Sequence, residues 1–109
     1  MAYNISIEKT IDRLIATWTN IEKKKMFGGV CFLVQGNICF GIWQDYLIVR
    51  TDTATAQFQL LKEHVRPFDI TGKPMKGWFM VAAEGWPTDS AMSKWLTIGL
   101  EFAMTLPEK

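Results

Sequence analysis

A chain of 109 residues, 49% hydrophobic and 21% charged, is sized and composed for one globular domain over residues 1–109, with enough apolar content for a core without staples. Its 12 basic and 11 acidic side chains leave a formal charge of +1, which excludes the clustered basic excess usual in nucleic-acid-binding domains. No run approaches the ~18 apolar residues of a membrane span. Glu8, Lys9 and Asp12 stand where an export signal would be apolar, so the reading is a cytoplasmic chain with no membrane partner.

Residues 5–21 read as a helix. Ile7, Ile11, Leu14, Ile15 and Trp18 recur with a 3.6-residue period, while Glu8, Lys9, Asp12 and Arg13 take the other side. Asn4 or Ser6 offers an N-cap. Lys23-Lys24-Lys25 reads as a solvated helix end complementing the dipole, with phosphate contact as the alternative. Residues 26–50 read as a three-stranded meander: a strand to Val34, a turn at Gln35-Gly36-Asn37, a strand over 38–43, a turn at Gln44-Asp45 and a strand over 46–51. Apolar residues on both strand parities predict that both faces are partly covered, one by helices and the other by a subunit interface.

Residues 53–64 read as a shorter helix, capped by Asp52 or Thr53 and packing Ala54, Phe58 and Leu61 inward. Residues 66–70 read as an edge strand, because Pro67 cannot donate to a ladder on that side. A turn over 71–74, a strand over 75–83 and a loop over 84–87 follow. The last helix spans 89–105, capped by Thr88 or Asp89 and ended by Pro107. Met92, Trp95, Leu96, Gly99 and Ala103 share one face. Ala91, Ile98 and Phe102 lie beside it, a stripe broader than a two-layer monomer needs. The order α-β-β-β-α-β-β-α predicts an α+β fold with helices on one face of a mainly antiparallel sheet.

Few residues invite chemistry. His64 is the one histidine and reads as a surface helix-end residue. Cys31 and Cys39 match no zinc spacing and read as two buried free thiols. A two-residue turn between their strands puts them on opposite faces; a three-residue turn puts them together. The carboxylates fall at turns and caps and form no acid–base pair. Gly72-Lys73-Pro74-Met75-Lys76-Gly77 lacks the order of a phosphate-cradling loop. The tryptophans and phenylalanines read as core, except Trp86, which stands beside Pro87 in a loop and is expected to be exposed, as at an interface. No catalytic residue, metal set or cofactor site is expected.

Two glycine-punctuated segments carry more. Glycine against an apolar strand marks a bulge, a bend or a close backbone approach. Met26-Phe27-Gly28-Gly29, the Gly41-x3-Asp45 turn followed by Leu47-x-Val49-Arg50, Arg66-Pro67-Phe68, and Gly72-Lys73-Pro74-Met75-Lys76-Gly77-Trp78 together resemble the N-terminal domain of the TfoX/Sxy family. The resemblance runs from residue 8 to Pro107. It implies a bacterial, cytoplasmic protein with a two-layer α-β(3)-α-β(2)-α fold, similar to secretion chaperones. It implies kinship with regulators of natural competence, which resemble transcriptional co-activators acting with the catabolite activator protein. Those regulators continue into a second, helical domain beyond the position of Lys109. The family gives no catalytic residue to carry over. Gly28, Gly29, Gly72 and Gly77 read as structural. Arg66, Lys73, Lys76 and Trp86 are the positions expected to contact an anion or a partner.

The leading expectation is a non-enzymatic regulatory or protein-interaction domain, homodimeric, with a protein partner in transcription regulation. Two alternatives remain. One is direct nucleic-acid binding through Lys23–Lys25, Arg66, Lys73 and Lys76, against which the near-neutral charge argues. The other is a small enzyme or ligand binder with a pocket lined by tryptophans and Cys31 or Cys39.

Overall fold

The computed structural model describes residues 3–26, 28–69, 72 and 75–107. Helix α1 (Ile5–Leu14) starts where the Asn4 side chain accepts the Ser6 N–H at 2.9 Å, and it turns Ile7 and Ile11 into the core. It ends well before residue 21. Thr17 and Thr19 are β-branched, and Asn20 adopts φ +64°, through which a right-handed helix cannot continue. Trp18, counted in the helical stripe, instead meets Phe40 edge-on at 6.1 Å between ring centroids.

The residues so released form a strand missing from the expected order, β1 (Ile21–Met26). Then come β2 (Gly29–Val34), β3 (Asn37–Trp43), β4 (Tyr46–Arg50), helix α2 (Thr53–Gln59), β5 (Val65–Pro67), β6 (Trp78–Val81), a 3-10 turn at Ala83–Gly85 and helix α3 (Asp89–Met104). The sheet order is β1-β2-β3-β4-β6-β5, and every pairing is antiparallel. The α+β class holds, with four strands rather than three before α2. The three lysines therefore sit on an edge strand, not at a helix end, where charge discourages pairing with another chain. Lys23 also ties β1 to α1, donating to Glu8 at 2.8 Å and to Asp12 at 3.0 Å.

Between β2 and β3, Gln35 and Gly36 both take positive φ, as a two-residue hairpin turn of the primed type requires. The register shifts between Phe32 and Leu33, so that Phe32 faces Phe40 and Cys39 is the extra residue of a bulge. Cys31 and Cys39 end on opposite faces, as the shorter turn requires. Both are buried and free.

Strand alternation sorts the sheet into two sides. The rows Lys23-Phe32-Phe40-Val49-Phe79-Pro67 and Lys25-Val30-Ile42-Leu47-Val81-Val65 face the helices. Their central members join Ile7 and Ile11 of α1, Ala56 of α2, and Met92, Trp95, Leu96 and Ala103 of α3 in the main core. α3 approaches the sheet closest at Gly99, where a Cβ would overlap the Cys39 carbonyl oxygen. α2 is rotated from expectation. It turns Ala56 and Gln59 inward and leaves Ala54, Phe58 and Leu61 outside. The small Ala56 lets this seven-residue helix sit close, so the bulkier stripe points to solvent.

The intervening row, Lys24-Cys31-Gly41-Ile48-Met80-Arg66, faces away from the helices. Ile48, Met80 and Phe68 make a second, smaller cluster there, with Trp43, Tyr46, Met75 and Trp78 around it. Phe68 and Met75 come from the β5–β6 connection, closed by the Met75 N–H donating to the Phe68 carbonyl at 3.1 Å. The far face, expected as a subunit interface, is thus partly covered by the chain's own connection. Phe27, Ile70 and the Thr71, Lys73 and Pro74 part of the expected turn lie outside the described residues.

Candidate functional site

Arg66 stands on edge strand β5 and faces away from the helices. It reaches past Met80 to Tyr46, donating to the Tyr46 hydroxyl at 2.7 Å, with its guanidinium 5.6 Å from that ring. Tyr46 in turn stacks on Trp43, the ring planes 19° apart. Tyr46 was missed from sequence. Its signal was the two-residue Gln44-Asp45 turn, which forces Trp43 and Tyr46 into register.

Lys76 lines a cleft of about 160 Å³ between α2 and β6, with Ala56, Leu60, Pro67 and Trp78. Beside it Gly77 takes φ +81°, and a Cβ would lie 2.5 Å from the Thr51 carbonyl oxygen. The Thr51 N–H donates to the Gly77 carbonyl at 2.6 Å, so only glycine fits this junction. Gly29 has a different constraint: a Cβ there would overlap the Ile42 carbonyl oxygen. Gly28 and Gly72 take positive φ in open space. Lys73 lies outside the described residues.

Trp86 departs from expectation. The 3-10 turn folds it back, its N–H donating to the Ala83 carbonyl at 3.1 Å, and the ring packs half-buried on the main core. Its indole N–H is buried with no hydrogen-bond partner among the described residues. Trp86 and Arg66 therefore sit on opposite sides of the sheet, and the expected contact residues do not converge on one site.

Among the described residues Ile5, Phe58, Leu61 and Met104 are large apolar side chains left exposed, and Phe58 and Leu61, at 62% and 82% of their full surface, lie three residues apart. Leu61 follows just past the end of α2, and Phe58 stands beside a groove between α2 and α3. Lys62 spans it, its ammonium 5.9 Å from the Phe58 ring and 5.4 Å from the Trp95 ring. On the other wall Ala91, Ile98 and Phe102 are half-buried, the very residues that broadened the apolar stripe of α3.

The chemistry of the remaining groups is quiet. Burial pushes the Cys31 thiol up to about 12 and the Cys39 thiol up to about 11, the opposite of nucleophile activation. His64 lies exposed past α2, with Glu63 at 3.7 Å. Among the described residues no group of three or more His, Cys, Asp or Glu side chains is placed to hold a metal. Nor is any described helix long and apolar enough to cross a membrane. The basic residues are dispersed: Lys23 is held by two carboxylates, and Lys24 and Arg66 stand on opposite edges of the sheet, about 24 Å apart at the usual strand spacing.

An antiparallel sheet with helices on one side describes a small α+β domain. The chain belongs to the TfoX N-terminal domain family, whose sequence profile matches residues 13–103. That family is one of non-enzymatic, regulatory domains related to competence. No protein with a curated description matches the chain.

Proposed function

We propose that this chain is a non-enzymatic regulatory domain of the bacterial cytoplasm. It works by binding proteins in transcription control of the competence type, with an activator of the catabolite-activator kind as partner. The observation that carries this reading is the exposed pair Phe58 and Leu61, the first of them beside the α2–α3 groove. Two large apolar side chains held in water three residues apart, at the end of α2 and just past it, mark an interaction surface better than scattered exposure does. The high thiol pKa values and the dispersed cations weigh against the enzyme and nucleic-acid readings.

The test is a competence-promoter reporter in a naturally competent bacterium, with and without this chain and with and without the catabolite activator. The expected result is a change in reporter output that needs both proteins. It should be lost in the Phe58→Asp/Leu61→Asp variant while the circular dichroism spectrum is kept. An unchanged reporter overturns the reading.

A further inference from the structure

We infer that the α2–α3 groove is an interface for a second copy of this chain, related by a two-fold axis near Ile98. The inference deepens the protein-interaction reading and rests on it.

The chain runs through α2 and α3 in opposite senses. Asp52 and Thr55 at the start of α2 therefore lie with Glu101 at the end of α3, around a cavity of about 350 Å³. Lys62, past the end of α2, lies with Lys94 near the start of α3, around a cavity of about 280 Å³. Ile98 lines both. The α3 wall from Ala91 to Thr105 is about 21 Å long. One end of the groove thus carries two cations, the other two carboxylates, and the middle is apolar. None of these four charges makes an ion pair among the described residues. Arg50 lies by the Phe102 ring near the acidic end, but not among the residues lining that cavity.

A two-fold rotation about Ile98 carries the basic end of one copy onto the acidic end of the other, and the reverse. Opposite charges then meet twice, and the apolar centres meet on the axis. This is the self-complementarity that a two-fold interface demands. A partner of uniform charge would meet like charge at one end, which disfavours it. Roughly micromolar dissociation is expected, as for interfaces below the standard ~800 Å² per partner.

The test is sedimentation equilibrium of the full chain. Exposed Lys94 and Glu101 tolerate exchange without loss of fold, checked by circular dichroism. Lys94→Glu and Glu101→Lys should each weaken the dimer at least about tenfold, since each sets like charges opposite one another twice. The double variant restores opposite charges and should return to within about threefold of the parent. A strict monomer, a dimer indifferent to the single exchanges, or a double variant without rescue overturns the proposal. A monomer whose groove takes a different protein also overturns it, and leaves the interaction reading standing. An unchanged reporter with an intact, charge-sensitive dimer brings down the regulatory reading alone.

Discussion

The two sides of the sheet are built from the same strands and covered differently. The helix side sets two rows of large side chains under three helices, and its central residues are almost all fully buried. The far side sets one row, broken by Gly41, under a single connection that contributes Phe68 and Met75. The helix side is locked by many independent contacts. The far side is closed by a few hydrogen bonds, from the Thr51 N–H to the Gly77 carbonyl, from the Met75 N–H to the Phe68 carbonyl and from Arg66 to the Tyr46 hydroxyl. Apolar residues on both strand parities therefore do not imply two equal cores.

The largest expected effect comes from truncating each side in turn. Phe40 and Phe68 are both fully buried. Phe40→Ala removes a ring that touches Phe32 and Trp18 beneath rigid helices, so the cavity cannot close, and the expected loss is about 3–5 kcal/mol. Phe68→Ala opens a site on the side that carries no helix, and the expected loss is nearer 2 kcal/mol. Chemical denaturation midpoints at constant slope measure both. Equal losses would show that the two sides act as one core.

A second, kinetic contrast concerns the thiols. Both have pKa values raised by burial, so at pH 8 each reacts with an alkylating reagent only after the protein opens. Cys39 lies under α3, where Gly99 touches its backbone, and needs that helix to lift away. Cys31 lies on the thinly covered side. Under native conditions Cys31 is expected to be labelled about tenfold faster, through local opening on that side. Equal rates would mean that both thiols wait for global unfolding, and the contrast between the two sides would fail.

The sequence disclosed the helix side more fully than the far side, for physical reasons. The α3 stripe and the strands of the meander have strong periodicity, and the structure keeps both. The expected helix runs past Leu14 because Ile15 and Trp18 fit a helical period, while Asn20 in a left-handed conformation does not advertise itself. The rotation of α2 is hidden in the sequence because Ala54, Phe58 and Leu61 make a better apolar stripe than Ala56 and the polar Gln59. Only the packed structure shows that the less apolar pair wins the close approach. Trp86 was misread because a tryptophan beside proline looks like a loop tip, and the 3-10 turn that buries it carries no periodic signal. The family motifs were legible as motifs, but their purpose was not. Arg66-Pro67-Phe68 and Met75-Lys76-Gly77-Trp78 turn out to close the far cluster together, a contact between segments that no local pattern encodes.

The smallest expected effect tests whether the β1 edge strand is held by charge. A hydrogen bond from Lys23 is the main cause holding the Glu8 carboxyl below its ordinary value of 4.5, with the Tyr3 hydroxyl adding to it. Burial opposes the Lys23 charge, but hydrogen bonds to Glu8 and Asp12 outweigh it and raise the ammonium above its ordinary 10.5. The carboxylate contribution is complete above pH 4.5 and is lost as pH falls through the lowered value; the ammonium contribution is complete below pH 10.5 and is lost as pH rises through the raised one. Lys23 keeps 39% of its side-chain surface in solvent, so screening limits the pair to less than about 1 kcal/mol. Glu8→Gln keeps an acceptor for Tyr3 and removes the charge. Its stability should fall by no more than that amount at pH 7, and its acid limb below about pH 5 should flatten relative to the parent. An unchanged acid limb would mean that β1 is held by its ladder to β2 alone, and that the lysines serve only to keep the edge from pairing with another chain.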